Sequence, residues 1–176
     1  MTDLKTCFEE ALPVDAFERL LNEEQAKLHA LHGRRAAIGS EDVEAIRDSA
    51  ARYILVITEP WCGDSLAILP VLAALFRKAG CEVRVALRDQ HPELIDRYLT
   101  NGGRAVPIAV ILDGKYRQIH RWGPRPAPAQ QIVTGHREVV RAGRMDKVEV
   151  YKKVRAFYAA DIGRTVIAEL IAGLRS

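Results

Sequence analysis

A buried strand that leads directly into an apolar helix is the feature that most constrains the fold. Residues 53–58, Y-I-L-V-I-T, form a continuous β-branched apolar run of strand length, which favours a central strand covered on both faces. Residues 63–79 form an apolar segment long enough for a helix, and a second strand-like run, C-E-V-R-V-A-L, covers residues 81–87. The order predicts a parallel β-α-β unit with a right-handed crossover.

The segments that follow extend this unit into a mixed sheet. Residues 92–99 begin with a proline at a helix first turn and end before Asn101-Gly102-Gly103. Two further strand patterns, P-I-A-V-I-L and K-Y-R-Q-I-H-R-W, flank Asp113-Gly114, which predicts an antiparallel hairpin with a two-residue turn. We therefore expect an α/β fold with a β-α-β-α-β-β core and helices on both faces of the sheet.

Helices are predicted on either side of this core. Asp15 marks the start of one helix that ends at Gly33, and Gly39-Ser40 precedes a shorter one. Downstream, we expect two helices separated near residues 143–146, with a buried stripe formed by Val148, Tyr151, Val154, Phe157 and Tyr158. No linker interrupts the chain, so residues 1–176 are predicted to form a single domain. Within it, residues 1–50 are a helical extension, 51–126 the core and 127–176 C-terminal helices.

Charge, hydropathy and cysteine usage exclude several function classes. The net charge of +3, with both signs interleaved, does not favour a nucleic-acid partner. The longest uncharged apolar run, residues 65–76, is too short to span a bilayer, and the N-terminal residues lack the apolar region of a signal peptide. Three cysteines without a C-x-x-C pair predict a reducing, cytoplasmic setting. The sequence does not specify an oligomeric state.

Cys62, in E-P-W-C-G-D-S-L, is placed where the buried strand ends and the helix begins. Unpaired N–H groups and the helix dipole favour an anion at such a position, and only a thiolate is nucleophilic. The charge of Asp64 opposes ionisation by about 0.7 kcal/mol if the two groups lie about 6 Å apart in water. The helix end offers a comparable stabilisation. We therefore predict that the pKa of Cys62 is modestly lowered.

The motif W-C-G-D-S resembles the W-C-G-P-C site of thioredoxins, and more closely the W-C-G-D-C/S site of bacterial thioredoxin-like proteins. Pro70 matches the proline of the thioredoxin active-site helix, and Pro107, in A-V-P-I-A-V, matches the family's cis-proline. Asp113-Gly114 and Trp122-Gly123 match the hairpin turn and the glycine after the last strand. The resemblance covers residues 53–126 and implies a thioredoxin fold.

The resemblance also implies site roles and two departures from the family. Pro107 would be cis, facing Cys62, and would present backbone groups with Val106 to an extended substrate. Ser65 stands where thioredoxins have the second, resolving cysteine, so no internal disulfide can close at this site. Val56 stands where the family has a buried carboxylate.

Two functions remain open from these residues. The first is a monothiol oxidoreductase that forms or reduces mixed disulfides with a low-molecular-weight thiol or a protein. In this hypothesis Cys62 is the nucleophile, and Ser65 donates a hydrogen bond to its thiolate. The residues predicted to contact the substrate are Trp61, Gly63, Asp64, Val106 and Pro107. The second is a catalytically inactive thioredoxin-fold binding or scaffold protein. Neither requires a cofactor or a metal ion.

Other reactive or charged residues receive structural interpretations. Cys81 is predicted to be a buried apolar filler, and Cys7 to lie in a mobile N-terminal tail, as either an inert surface thiol or a resolving partner for Cys62. His29 and His32 are predicted on a solvated helix face. Arg121 and Arg125 lie near the site edge in the predicted hairpin, where they would attract an anionic thiol or act as ordinary surface charges. The basic group Arg137, Arg141 and Arg144 is predicted to be solvated.

Overall fold

The computed structural model describes residues 3–176, in which a five-stranded mixed sheet separates two layers of helices. Met1 and Thr2, the start of the predicted helical extension, lie outside the described residues. The strands are β1 (Leu12–Pro13), β2 (Tyr53–Thr58), β3 (Glu82–Leu87), β4 (Ile108–Leu112) and β5 (Gln118–Trp122), in the spatial order β1-β3-β2-β4-β5. Strands β2 and β3 are parallel and the other neighbours antiparallel. This confirms the predicted fold class; the short edge strand β1 had no sequence prediction.

The alternation of side chains along β2 explains why its sequence is apolar throughout. Ile54 and Val56 point into one core cluster, whereas Leu55 and Ile57 point into a second cluster on the opposite face. All four are fully buried. A strand covered on both faces has no position that favours a polar side chain.

Ten helices of the described residues surround the sheet. They are α1 (Leu4–Glu10), α2 (Val14–Glu18), α3 (Glu23–Arg35), α4 (Ser40–Asp48), α5 (Gly63–Lys78), α6 (Pro92–Ile95), α7 (Ala127–Gly135), α8 (Arg137–Arg141), α9 (Lys147–Asp161) and α10 (Arg164–Arg175). A turn of 3-10 helix, Asp96–Tyr98, continues α6. Helices α1 and α6 cover one face of the sheet, and α5 lies on the other with α2, α4 and α10. None of the helices in this described part is long and apolar enough to cross a membrane.

The segment from Asp15 to Gly33, which was predicted to form one helix, forms two helices in the structure, α2 and α3. Asn22 begins α3 with a capping box, in which its side chain accepts from Gln25 N and the Gln25 side chain accepts from Asn22 N. Gly33 lies inside α3, where it does not end the helix. A Cβ at Gly33 would approach Pro70 to 3.3 Å, so the glycine permits close packing of α3 against α5.

The hairpin turn is longer than predicted. Five residues, 113–117, connect β4 and β5, and the Asp113 carboxylate accepts hydrogen bonds from the N–H groups of Lys115 and Arg117. Tyr116 has a φ of 59°. The side chain of Asp113 therefore organises a wider loop than a two-residue turn.

The C-terminal region contains four helices, where two were predicted. Val154 and Tyr158 of the predicted stripe are buried, but Val148 and Tyr151 are exposed. Val150 is buried in their place, so the face of α9 that packs on the protein is rotated from the predicted one. The division of the chain into a core and two extensions within one domain stays a prediction.

Candidate functional site

Cys62 lies at the N-terminus of α5, four residues after β2 ends. Its carbonyl accepts the first hydrogen bonds of the helix, from Ser65 N at 3.1 Å and Leu66 N at 3.3 Å. Its Sγ donates to the Val106 carbonyl oxygen at 3.5 Å. The residue is only 7% exposed. The strand-to-helix junction thus places the thiol as predicted, but largely enclosed.

The predicted lowering of the Cys62 pKa is wrong. Burial raises the pKa of this thiol, the Ser65 hydrogen bonds lower it, and the charge of Asp64 raises it; the net direction is upward. Loss of hydration penalises the thiolate more than the helix end and its donors stabilise it. A lowered pKa requires a largely aqueous environment around Cys62, which the fold does not provide.

Ser65 is buried directly behind the thiol. Its hydroxyl and that of Thr58, the last residue of β2, are joined by a short hydrogen bond. Each hydroxyl has one proton, so when Thr58 donates to Ser65, the Ser65 proton is available to the Cys62 sulfur. The hydrogen bond from Ser65 to the thiolate stays a prediction, and Thr58 is the group that orients it.

Asp64 is held by two side chains from distant parts of the chain. Arg125 Nε and Nη2 contact Asp64 Oδ2 at 2.8 Å and 2.7 Å, and Tyr158 Oη donates to Asp64 Oδ1 at 2.8 Å. The Asp64 and Arg125 side chains are 10% and 20% exposed, so this ion pair is largely shielded from solvent. The charge of Asp64 is therefore partly compensated next to Cys62, which sequence spacing could not reveal.

The charge of Asp64 raises the pKa values of its two partners, Arg125 and Tyr158. Burial lowers the pKa of Arg125, but the Asp64 carboxylate outweighs burial and holds that pKa above its usual range. Burial, together with Asp64, raises the pKa of Tyr158, which stays a hydrogen-bond donor. Of the two arginines predicted near the site edge, Arg125 contacts the site. Arg121 instead donates to Tyr98 O and Thr100 Oγ1.

The loop before Cys62 is fixed by contacts from two other elements. Buried Glu59 accepts a hydrogen bond from Asp89 N at 2.7 Å, and Gln25 of α3 donates to Pro60 O at 3.1 Å. Trp61 is 57% exposed, with the guanidinium of Arg88 4.7 Å from its ring centroid. Trp61 thus lies at the outer edge of the site.

The Val106–Pro107 peptide bond is cis, as the resemblance implied. Val106 and Pro107 are both buried. Gly123 packs behind them with a φ of 118°, and a Cβ at this position would lie 2.3 Å from the Pro107 carbonyl oxygen. Only glycine fits there, because any side chain would displace the backbone next to Pro107.

A cleft of about 400 Å³ opens over the thiol. One wall consists of Trp61, Cys62, Gly63 and Asp64, and Arg125 lies beside them. The opposite wall belongs to α9, with Tyr151, Val154, Arg155 and Tyr158. Four of the predicted site residues therefore share one cleft, whose size suits a small molecule or a short peptide segment. Ser65, Val106 and Pro107 lie outside its lining.

The other residues considered from the sequence, Cys81, Cys7 and His29, are all buried. Cys81 is buried and its Sγ donates to Ala51 O at 3.4 Å, which confirms the predicted filler. Cys7 is not in a mobile tail: it is buried in α1, in the same apolar cluster as Cys62, and burial raises its pKa. His29 is also buried, beside Glu18 at 3.1 Å, and not solvated. Among residues 3–176, no group of three or more potential ligands is arranged to hold a metal ion.

Comparisons with known proteins give the family and the fold. A family model described as thioredoxin matches residues 15–141. A crystal structure of a protein of unknown function from Pseudomonas aeruginosa has a TM-score of 0.75 at 18% identity, over 99% of this chain and 98% of the other. An HIV epitope-scaffold crystal structure has a TM-score of 0.73 at 16% identity, with the same coverage. These identities are low enough that the two structures show the fold alone.

No curated protein sequence matches the chain. The family match extends beyond the predicted core on both sides, into α2 and α3 upstream and through α8 downstream. It covers most of the 176 residues and includes the strand-to-helix junction at Cys62 and the cis Val106–Pro107 bond. The chain belongs to the thioredoxin family.

Proposed function

We propose that the protein is a monothiol thiol–disulfide oxidoreductase that acts through Cys62. The supporting observation is the position of the Cys62 sulfur, at the N-terminus of α5, beside the Val106 carbonyl and on the wall of an open cleft. Cys81 lies in the core away from this cleft, Cys7 is buried in α1 outside the cleft lining, and Ser65 stands in place of a second thiol. In this proposal Cys62 carries out the first step of a dithiol exchange, the formation of a mixed disulfide, and the second step needs an external thiol.

The reaction proceeds by two exchanges. The Cys62 thiolate attacks one sulfur of a substrate disulfide, the substrate S–S bond breaks, and the second sulfur leaves as a thiolate that takes up a proton. An external low-molecular-weight or protein thiol then attacks the mixed disulfide and releases Cys62. The substrate disulfide is the oxidant and the external thiol is the reductant. The same steps in reverse place a mixed disulfide on a protein.

The surrounding residues have separate roles in this proposal. Trp61, Gly63 and Asp64 contact the substrate along the cleft. The Val106 carbonyl accepts a hydrogen bond from the Cys62 thiol in the resting state, so this oxygen becomes available to a substrate N–H once Cys62 is ionised or bonded. Pro107 fixes the direction of that carbonyl. Three free cysteines suit a reducing compartment, which we propose to be the cytoplasm.

A second function is favoured by a specific observation. The Cys62 thiol is enclosed and its pKa is raised, as in a cysteine kept for packing. In that case the protein is a catalytically inactive binding or scaffold protein, and the cleft recognises a partner without exchange. Its partners would remain bound when Cys62 is replaced by serine.

Alkylation and trapping decide between the two functions. The proposal predicts that Cys62 is the first of the three thiols modified at neutral pH, and that it forms mixed disulfides with model disulfides. Cys62→Ser should abolish both, whereas Cys81→Ser, which removes a thiol held in the core, should leave both intact. A Cys62 that reacts no faster than Cys81 and forms no mixed disulfide would establish the binding function.

A further inference from the structure

A second groove lies between α7, α8 and α9, and we refer to it as the α8–α9 groove. It has a volume of about 310 Å³ and combines apolar and basic side chains. The apolar ones include Val133, Val140 and Tyr151, and the basic ones are Arg137, Arg141 and Lys147. No acidic side chain lines it.

The net positive charge of the protein is concentrated around this groove. Residues 137–155 contain seven Lys and Arg against three Asp and Glu, so the rest of the chain carries one more acid than base. Arg141 pairs with Glu138 on the exposed surface at 3.1 Å. Within residues 3–176, neither Arg137 nor Lys147 forms an ion pair. The positive charges of Arg137 and Lys147 are therefore not neutralised by any of the described residues.

The groove and the cleft over Cys62 have one lining residue in common. Tyr151 lines both, and its side chain is 48% exposed. The neighbouring Val148 is 51% exposed. A ligand that enters the cleft and follows α9 thus reaches exposed apolar side chains first and basic side chains next to them.

We propose that the α8–α9 groove binds an acidic, apolar segment of the protein disulfide on which Cys62 acts. This inference rests on the proposed function and names its substrate class. Tyrosine and arginine surfaces are typical of protein interfaces, and a segment with leucine or phenylalanine between aspartates or glutamates matches both the apolar and the basic side chains. A concave groove next to a thiol site suits a peptide better than a flat anionic membrane or a nucleic-acid backbone.

The test uses synthetic peptides with one cysteine in a disulfide with a coloured aryl thiol. Cys62 attacks the peptide sulfur, the peptide becomes bonded to Cys62, and the aryl thiolate leaves and is measured by absorbance. An acidic apolar peptide is compared with versions in which the acids are amides or lysines. We expect the acidic peptide to react roughly tenfold faster than the amide version at low ionic strength, and the difference to shrink in high salt.

Charge-reversal variants locate the effect. Arg137→Glu with Arg141→Glu should remove the preference for the acidic peptide and leave the rate with the amide peptide unchanged. Lys152→Glu with Lys153→Glu changes the net charge equally but lies outside the groove lining, and should retain most of the preference. All four side chains are exposed, so the variants should fold, which circular dichroism checks.

The outcomes separate this inference from the proposed function. If no peptide forms a mixed disulfide, the proposed function fails. The groove is then tested by fluorescence anisotropy of the acidic peptide with serine in place of cysteine, where loss of binding in the Arg137 and Arg141 variant supports it. Equal rates for acidic and amide peptides, or equal losses in both double variants, overturn the inference. Binding to anionic vesicles with no peptide preference also overturns it.

Discussion

The Arg125 guanidinium lies 2.7 Å from the Asp64 carboxylate, two residues beyond the thiol at Cys62. The pair joins the segment after β5 to the first turn of α5. Tyr158 completes it from α9, so three separate parts of the chain meet at one carboxylate. The anion next to the thiol is therefore partly balanced, and its effect on Cys62 depends on whether its partners are present.

Replacing Arg125 by glutamine should raise the pKa of Cys62 further. The charge of Asp64 already raises that pKa, and the variant leaves this charge without its cation. The pH dependence of iodoacetamide alkylation at Cys62 measures the change. Asp64→Asn is the control of opposite sign and should lower the pKa. In the double variant the effect of Arg125→Gln should persist, because the guanidinium also acts directly on the Cys62 thiolate; a vanished effect would mean that Arg125 acts only through Asp64.

Ser65→Ala should destabilise the protein by about 1–3 kcal/mol, because it leaves the buried Thr58 hydroxyl without its partner. It should also raise the pKa of Cys62, since hydrogen bonds from Ser65 lower it. Urea unfolding measures the first effect and alkylation the second. Adding Thr58→Val to Ser65→Ala should recover much of the lost stability, whereas the pKa of Cys62 should stay raised. A double variant as unstable as Ser65→Ala would exclude the unpaired hydroxyl as the cause.

Ser65→Cys should restore a dithiol site. The serine hydroxyl lies close enough to the Cys62 sulfur to affect its pKa, so the new thiol is expected to close a disulfide with Cys62 under mild oxidation. Intact-mass analysis would show the loss of two hydrogens, and reduction of insulin should appear. Ser65→Ala, oxidised in the same way, should keep its full mass. Two thiols that remain reduced would mean that the enclosure of the site prevents closure.

Gly123→Ala should cost about 2–4 kcal/mol, because the methyl group would meet the backbone oxygen of Pro107 and the residue has a positive φ. The shifted backbone should also alter Cys62 alkylation through the Val106 carbonyl. Gly135→Ala is the matched control: nothing lies within 4 Å of its added Cβ, and a helical alanine should be neutral or stabilising by up to about 1 kcal/mol. Equal melting temperatures for the two variants would contradict the proposed packing.

Acid should destabilise the protein partly through His29. Burial lowers the pKa of His29 from 6.5, with an opposing effect of Glu18. The unfolded chain therefore binds a proton at His29 more strongly than the folded chain does. The free energy of unfolding is therefore undiminished by this group above pH 6.5, and it falls as the pH drops below that value. His29→Gln should reduce this loss between about pH 7 and 5. Urea unfolding at several pH values in this range measures the loss of stability. If the unfolding free energy of the variant depends on pH as strongly as that of the parent protein, another group causes the acid sensitivity.

The sheet and the position of Cys62 could be predicted because both depend on local patterns. A six-residue apolar run and the segment after it determine β2 and α5, and the thiol lies at their junction. The hairpin order followed from two strand patterns around Asp113. Its turn length did not, since the hydrogen bonds that the Asp113 carboxylate accepts, rather than turn propensity, determine that loop.

The environment of the thiol could not be predicted from the same patterns. The pKa of Cys62 depends on burial, and Cys62 is buried in a cluster formed by residues distant in sequence, such as Cys7, Leu94 and Val106. The predicted stripe on α9 was correct at Val154 and Tyr158 but wrong at Val148 and Tyr151, which are exposed. Tyr158 is 94 residues from Asp64 along the chain, and no spacing rule connects them. Likewise, Cys7 became part of the core because α1 packs on the sheet, a contact that an N-terminal sequence does not indicate.

The hydrogen bond from Tyr158 to Asp64 also has a consequence for biosynthesis. A ribosome releases the core strands and the hairpin before α9, so the growing polypeptide presents the Cys62 sulfur without the cleft wall that α9 later provides. During that interval we expect this side of the sulfur to be more accessible to oxidants than in the folded protein. We therefore expect the completion of α9 to shelter a group that was made nearly a hundred residues earlier.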